Sequence, residues 1–70
     1  MEEIEVTNEP IELYKLLKFA GIAESGGEAK AIIDGELVLV NGDVETRKSK
    51  KISVGDIITF QNETFTIRIA

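Results

Sequence analysis

The sequence predicts an α+β fold: two short N-terminal helices packed on a small, mainly antiparallel sheet. Three observations predict it. From Leu13 to Gly35, apolar residues recur at helical spacing, whereas beyond it they form short β-branched runs separated by turn residues. Asn41-Gly42, the strongest two-residue hairpin signal, falls between two of those runs. The chain has 70 residues, 43% hydrophobic and 30% charged, the balance of one ordinary globular domain over residues 1–70. At this length only about 60% of the unfolded surface is buried, so the core is small.

The first element is Ile4-Glu5-Val6-Thr7, whose alternation and β-branched residues fit a short edge strand. Pro10 suits the first turn of a helix, where its missing N–H is not needed. Leu13, Leu16, Leu17 and Ala20 then fall on one face, so a helix is expected from Ile11 to Ala20, with Gly21 as its stop. Lys15 and Lys18 project from the opposite face, and Glu12 stands one turn before Lys15, where the two can pair. Ser25, followed three residues on by Glu28, announces a second helix through a capping box. Its apolar stripe is Ala29, Ile32 and Ile33, and Gly35 is expected to end it in a left-handed conformation. Leu37 to Val40 reads as a buried strand that turns at Asn41-Gly42, and Val44 begins the return. Then follow Ile52-Ser53-Val54, a Gly55-Asp56 turn, a strand from Ile57 to Phe60, a turn near Asn62-Glu63 and a last strand from Thr64 to Ile69.

Composition removes several kinds of chemistry. The chain has no cysteine and no histidine, so disulfides, thiolate nucleophiles, zinc sites built on those ligands and imidazole catalysis are excluded. The acids are dispersed, with neither metal-ligand spacing nor a catalytic carboxylate pair. Ser25 and Lys30 are five apart on a helix, which turns their side chains about 140° from each other and rules out a serine–lysine pair. The expectation is a non-catalytic protein without a cofactor. Glu2, Glu3 and Glu5 are the reverse of a signal peptide's basic leader. No apolar run approaches the roughly 18 residues of a membrane span. A cytoplasmic protein outside the membrane is expected.

The net charge of −5 is concentrated: Glu2, Glu3, Glu5, Glu9 and Glu12 lie in the first twelve residues, and the rest of the chain is neutral. Within that remainder Arg47, Lys48, Lys50 and Lys51 crowd into five positions. A local basic cluster in an acidic protein is a candidate phosphate-binding site. Adjacent residues on a strand alternate faces, so a loop with a turn near Ser49 is expected to gather the four.

The ordered set Ser25, Ala29-Lys30, Ile32-Ile33, Gly35, Val38-Leu39-Val40-Asn41-Gly42 and Gly55-Asp56-Ile57-Ile58 resembles the RNA-binding domain of the ribosomal-protein-S-four type, sometimes called the αL motif. The core motif runs from about Ile11 to Phe60. Glu24-Ser25-Gly26 and Val44-Glu45-Thr46-Arg47-Lys48 are similar to short, single-domain bacterial members. The resemblance implies the αL motif fold and non-catalytic binding of structured RNA, ribosomal RNA above all, by the second helix and the loop after the hairpin. It implies ribosomal proteins as possible further partners and a monomeric protein. Many relatives carry arginine directly after the capping serine. Here that position is Gly26.

The candidate RNA-binding residues are therefore Lys30, Arg47, Lys48, Lys50, Lys51, Gly26 and Gly27. Four phosphate contacts by the loop predict a log–log salt slope of roughly −3 to −4. The competing reading of the loop is a solvated surface. Lys30 flanks the apolar stripe of its helix on the side facing the loop; its alternative is an ion pair with Asp34, in the weaker i,i+4 orientation. Gly26 and Gly27 expose bare N–H groups at a helix start, a seat for phosphate, against the alternative that small residues let two helices approach. Phe19, Phe60 and Phe65 are expected in the core, whereas Tyr14, at the edge of the first helix's stripe, is left open to base stacking. A second functional class is a protein-interaction module that binds a basic partner through its acidic N-terminus. It gains if those five glutamates share a face with the basic loop, and RNA binding keeps its lead if they lie on the opposite face.

Overall fold

The computed structural model describes residues 2–70. The elements in order are β1 (Glu2–Val6), β2 (Ile11–Glu12), α1 (Leu13–Phe19), α2 (Gly26–Asp34), β3 (Val38–Val40), β4 (Asp43–Val44), β5 (Lys51–Ile52), β6 (Ile57–Phe60) and β7 (Glu63–Ile69). Two helices lie on a mixed five-stranded sheet of order β1-β7-β6-β3-β4, and β2 and β5 form a separate two-stranded ribbon. Pairing is antiparallel for β3 with β4, β3 with β6 and β6 with β7; only β1 joins parallel, along β7. The N-terminal strand is indeed an edge strand. It starts two residues earlier than its alternation suggests, because pairing with β7 extends it back to Glu2.

The apolar stripes do what their spacing predicts. Leu13, Leu16 and Leu17 of α1 and Ala29 and Ile33 of α2 are buried against Ile4, Val6, Val38, Val40, Ile52, Ile58 and Ile67 from the strands. No polar or charged side chain is buried among the described residues, so the chemistry of the molecule lies on its surface. The two hairpins turn through residues with positive φ, Asn41-Gly42 (52° and 88°) and Gln61-Asn62 (51° and 65°), the pattern of type I′ turns. The second therefore sits one residue before its expected place.

Four expectations need correction. Pro10 is not in a helix: α1 begins at Leu13, since Ile11 and Glu12 are drawn into pairing with Ile52 and Lys51. Gly35 keeps a right-handed φ of −76°, and the left-handed residue is Glu36 at 60°. There the Glu36 and Leu37 N–H groups donate back to Ile33 and Ile32, a Schellman-type ending shifted by one position. A Cβ at Gly35 would lie 3.3 Å from the Ala31 carbonyl oxygen, a tight contact that a shift of a few tenths of an ångström would relieve. Finally, Phe19 is 57% exposed and Leu37 likewise, whereas Phe60 and Phe65 are half-buried against the core. Only two of the three phenylalanines pack as expected, and the strand opening at Leu37 begins at Val38.

Candidate nucleic-acid interface

The basic loop is fastened to the start of α1 by its backbone. Glu12 gives α1 no side-chain cap, which leaves first-turn N–H groups without partners. The loop supplies them: Leu13 N–H donates to the Lys50 carbonyl (2.9 Å) and Tyr14 N–H to the Lys48 carbonyl (3.1 Å). Beside these bonds runs the β2–β5 ribbon, in which Ile11 faces Ile52 and Glu12 faces Lys51. Ile52 is fully buried and anchors the loop's exit. A turn closed by Lys50 N–H on the Arg47 carbonyl (3.3 Å) places Lys48 and Ser49 at its centre, where the spacing of the cations requires one. Arg47, Lys48, Ser49, Lys50 and Lys51 together line a shallow depression of about 520 Å3.

Several of these cations already hold carboxylates. Arg47 is clamped by Glu45, whose Oε2 accepts from Nε and from the Arg47 backbone N–H, both at 3.0 Å, while Oε1 accepts from Nη2 at 3.3 Å. The guanidinium holds the Glu45 carboxyl below its usual range. Lys48 Nζ reaches Asp34 Oδ1 at the end of α2 (3.0 Å). Lys51 and Lys15 share Glu12, at 3.9 and 2.9 Å, and the Lys15 hydrogen bond holds the Glu12 carboxyl low. Lys50, Lys30 and Lys18 have no carboxylate within ion-pair distance among the described residues. The paired cations lie on the surface, where such bridges are weak enough for a phosphate to replace the carboxylate.

Lys30 does not pair with Asp34. Its Nζ stands 4.8 Å from the centre of the Tyr14 ring, and that of Lys15 stands 5.8 Å away, both within cation–π range. Tyr14 thus joins the two helices and the loop at one place. Gly26 and Gly27 open α2, where Ser25 Oγ accepts from Glu28 N–H (3.1 Å) and Glu28 reaches back to Glu24 N–H (3.3 Å), one residue beyond the usual capping-box partner. A Cβ at Gly26 would stand 4.0 Å from Tyr14 Cδ2, and one at Gly27 3.9 Å from Ser25 Oγ. Both are ordinary contacts, so close helix approach does not demand glycine at either position.

The five N-terminal glutamates do not form one face. Glu3 and Glu5 alternate with buried Ile4 and Val6, so they project from the side of the sheet away from the helices, where Arg68 meets them at 3.5 and 3.8 Å. Glu2 stands beside Glu63 and pushes its carboxyl up. Glu9 accepts from Val54 N–H (2.9 Å), and Glu12 lies within the basic group.

Reading the sequence alone missed three participants: the Glu45 clamp, the Asp34–Lys48 bridge and Glu12 as a shared partner. For Glu45 a signal existed, since residues two apart in extended chain share a face. The Asp34–Lys48 bridge depends on the tertiary placement of the loop and has no local signature.

Comparison with known proteins agrees with this architecture. Residues 4–68 match the family described as S4 domain. The chain is 42% identical over 57 residues to a putative RNA-binding protein, YbcJ, of Escherichia coli, covering 81% of each chain. It is 36% identical over 58 residues to a probable ribosome maturation protein, RlbA, of Bacillus subtilis, covering 83% of this chain and 82% of that one. The solution structure of E. coli YbcJ, said to reveal an αL motif involved in RNA-binding, superposes with a TM-score of 0.71 at 38% identity, over 97% of this chain and 87% of that one. With a match that takes in both helices and all of the strands but the first residues of β1 and the last of β7, this chain belongs to the S4 domain family.

Proposed function

We propose that this protein binds structured RNA without catalysing a reaction on it, with ribosomal RNA as its first target. The observation that carries the reading is the docking of Arg47, Lys48, Lys50 and Lys51 on the start of α1, with Lys30 of α2 brought beside them through Tyr14. Membership of the S4 domain family supports it, as does similarity to a putative RNA-binding protein, YbcJ, and a probable ribosome maturation protein, RlbA. In this reading the loop cations and Lys30 contact phosphates, and the N–H groups of Gly26 and Gly27 seat one more. A-form RNA offers chiefly its backbone, 2′-hydroxyls and shape to such a surface. The protein acts as a cytoplasmic monomer, and ribosomal proteins are neighbours rather than the primary ligand. The scattering of the N-terminal glutamates over different faces removes support from an acidic protein-docking surface.

The test is binding of the purified protein to ribosomal RNA fragments across a salt series. Wild type is compared with the Arg47→Ala/Lys48→Ala/Lys50→Ala/Lys51→Ala variant. The log–log slope of the wild type is expected to be steeper than the variant's by roughly 3 to 4, and the variant to stay folded and lose most of the affinity. Binding that is indifferent to those four residues overturns the mechanism.

A further inference from the structure

Phe19 lies more than half exposed at the end of α1, outside the core cluster. It lines, with Ile11, Tyr14, Lys15, Lys18 and Gly26, a groove of about 570 Å3 between α1 and the start of α2. That volume falls within the ~300–1,000 Å3 typical of small-ligand sites. Two aromatic rings form its apolar lining. Lys15 and Lys18 border it, and Lys30 leans over the Tyr14 ring from α2. Lys18 and Lys30 have no carboxylate partner among the described residues. The bare Gly26 leaves the groove open, since a side chain there would start 4.0 Å from Tyr14 Cδ2. One residue of its lining, Tyr14, is tied to the basic loop by its backbone N–H, which donates to the Lys48 carbonyl.

We propose that this groove receives one unpaired nucleobase of the bound RNA, stacked on the exposed Phe19 ring, with its flanking phosphates held by Lys15, Lys18 and Lys30. The inference rests on the RNA-binding reading and narrows it, from structured RNA in general to helical RNA carrying a bulged or looped-out nucleotide. Aromatic rings match the π-face of a base, and ammonium groups around them match its phosphates. An acidic peptide would satisfy the lysines but leave the rings without a planar partner. Phosphate contacts by the neighbouring loop fix the register of the helix, and the groove then selects where the helix is interrupted.

The experiment compares two hairpins with the same stem, one fully paired and one with a single 2-aminopurine bulge, at fixed salt. Wild type is expected to bind the bulged hairpin about tenfold tighter, a difference of about 1.4 kcal/mol, within the range for one base stacked on an aromatic side chain. The 2-aminopurine fluorescence is quenched on binding. Phe19→Ala abolishes the preference while leaving affinity for the paired hairpin nearly unchanged, and Phe19→Trp retains it. Phe19 is exposed, so neither substitution is expected to unfold the domain. Equal, salt-dependent affinity of the wild type for both hairpins overturns the base-binding groove and leaves the RNA-binding reading standing. Failure to bind either hairpin or ribosomal RNA fragments overturns both.

Discussion

At the scale of single residues, the proposed interface holds Arg47, Lys48 and Lys51 in surface carboxylate pairs and leaves Lys50 and Lys30 without one among the described residues. Glu45 is the clearest case, since it occupies the guanidinium edge that a phosphate would use. Glu45→Gln is expected to free Arg47, tighten RNA binding severalfold and steepen the salt slope by up to about one contact; weaker binding would show that Glu45 instead orders the loop. A second residue-scale consequence concerns Glu63. Its folded-state carboxyl is raised by the Glu2 carboxylate beside it, so its favourable contribution exists while it is protonated and is lost as pH rises through the folded value. Glu63→Gln is therefore expected to raise the melting temperature at pH 7 and to have no effect in acid, where Glu63 is already neutral. A thermal melt at the two pH values reads this. Phe19 shows where composition misled. At 100° per residue it lies about 110° from the centre of the Leu13, Leu16, Leu17 and Ala20 stripe, and helix geometry rather than the need for large core residues decided its place.

At the scale of elements, what could be read in the sequence was what local chemistry dictates. The Ser25 cap, the Asn41-Gly42 turn and the stripes of both helices follow from contacts within a few residues of each other. Ser25→Ala is expected to cost about 1 kcal/mol by loss of the bond to Glu28 N–H, measured by urea denaturation. The start of α1 escaped because its competitor is remote in sequence: Ile11 and Glu12 pair with a segment that only the folded chain brings near. The same ribbon carries the loop. Ile52→Ala removes a fully buried anchor and is expected to cost roughly 2–5 kcal/mol, with the loop released before the main sheet melts. Hydrogen exchange at Leu13 and Tyr14, whose N–H groups bond the loop, would report that order.

At the scale of the whole molecule, the acidic net charge hides a division of labour. The far side of the sheet carries Glu3 and Glu5 with Arg68, while the helix side carries the loop, Lys30 and the Tyr14 groove. The family motif from Ile11 to Phe60 is legible as an ordered set of residues, but it is not a self-sufficient core. Ile4, Val6 and Ile67 are buried with the rest, and β1 and β7 supply them. A fragment of residues 11–60 is accordingly expected to lack cooperative unfolding, and a sharp thermal transition in it would contradict that. The direct test of the proposed RNA-binding surface is amide chemical-shift mapping of the labelled protein during titration with a ribosomal RNA fragment. The account predicts shifts concentrated at Lys48 to Lys51, Tyr14, Gly26, Gly27 and Lys30. Shifts confined to Glu2 to Val6 and Arg68 would contradict it.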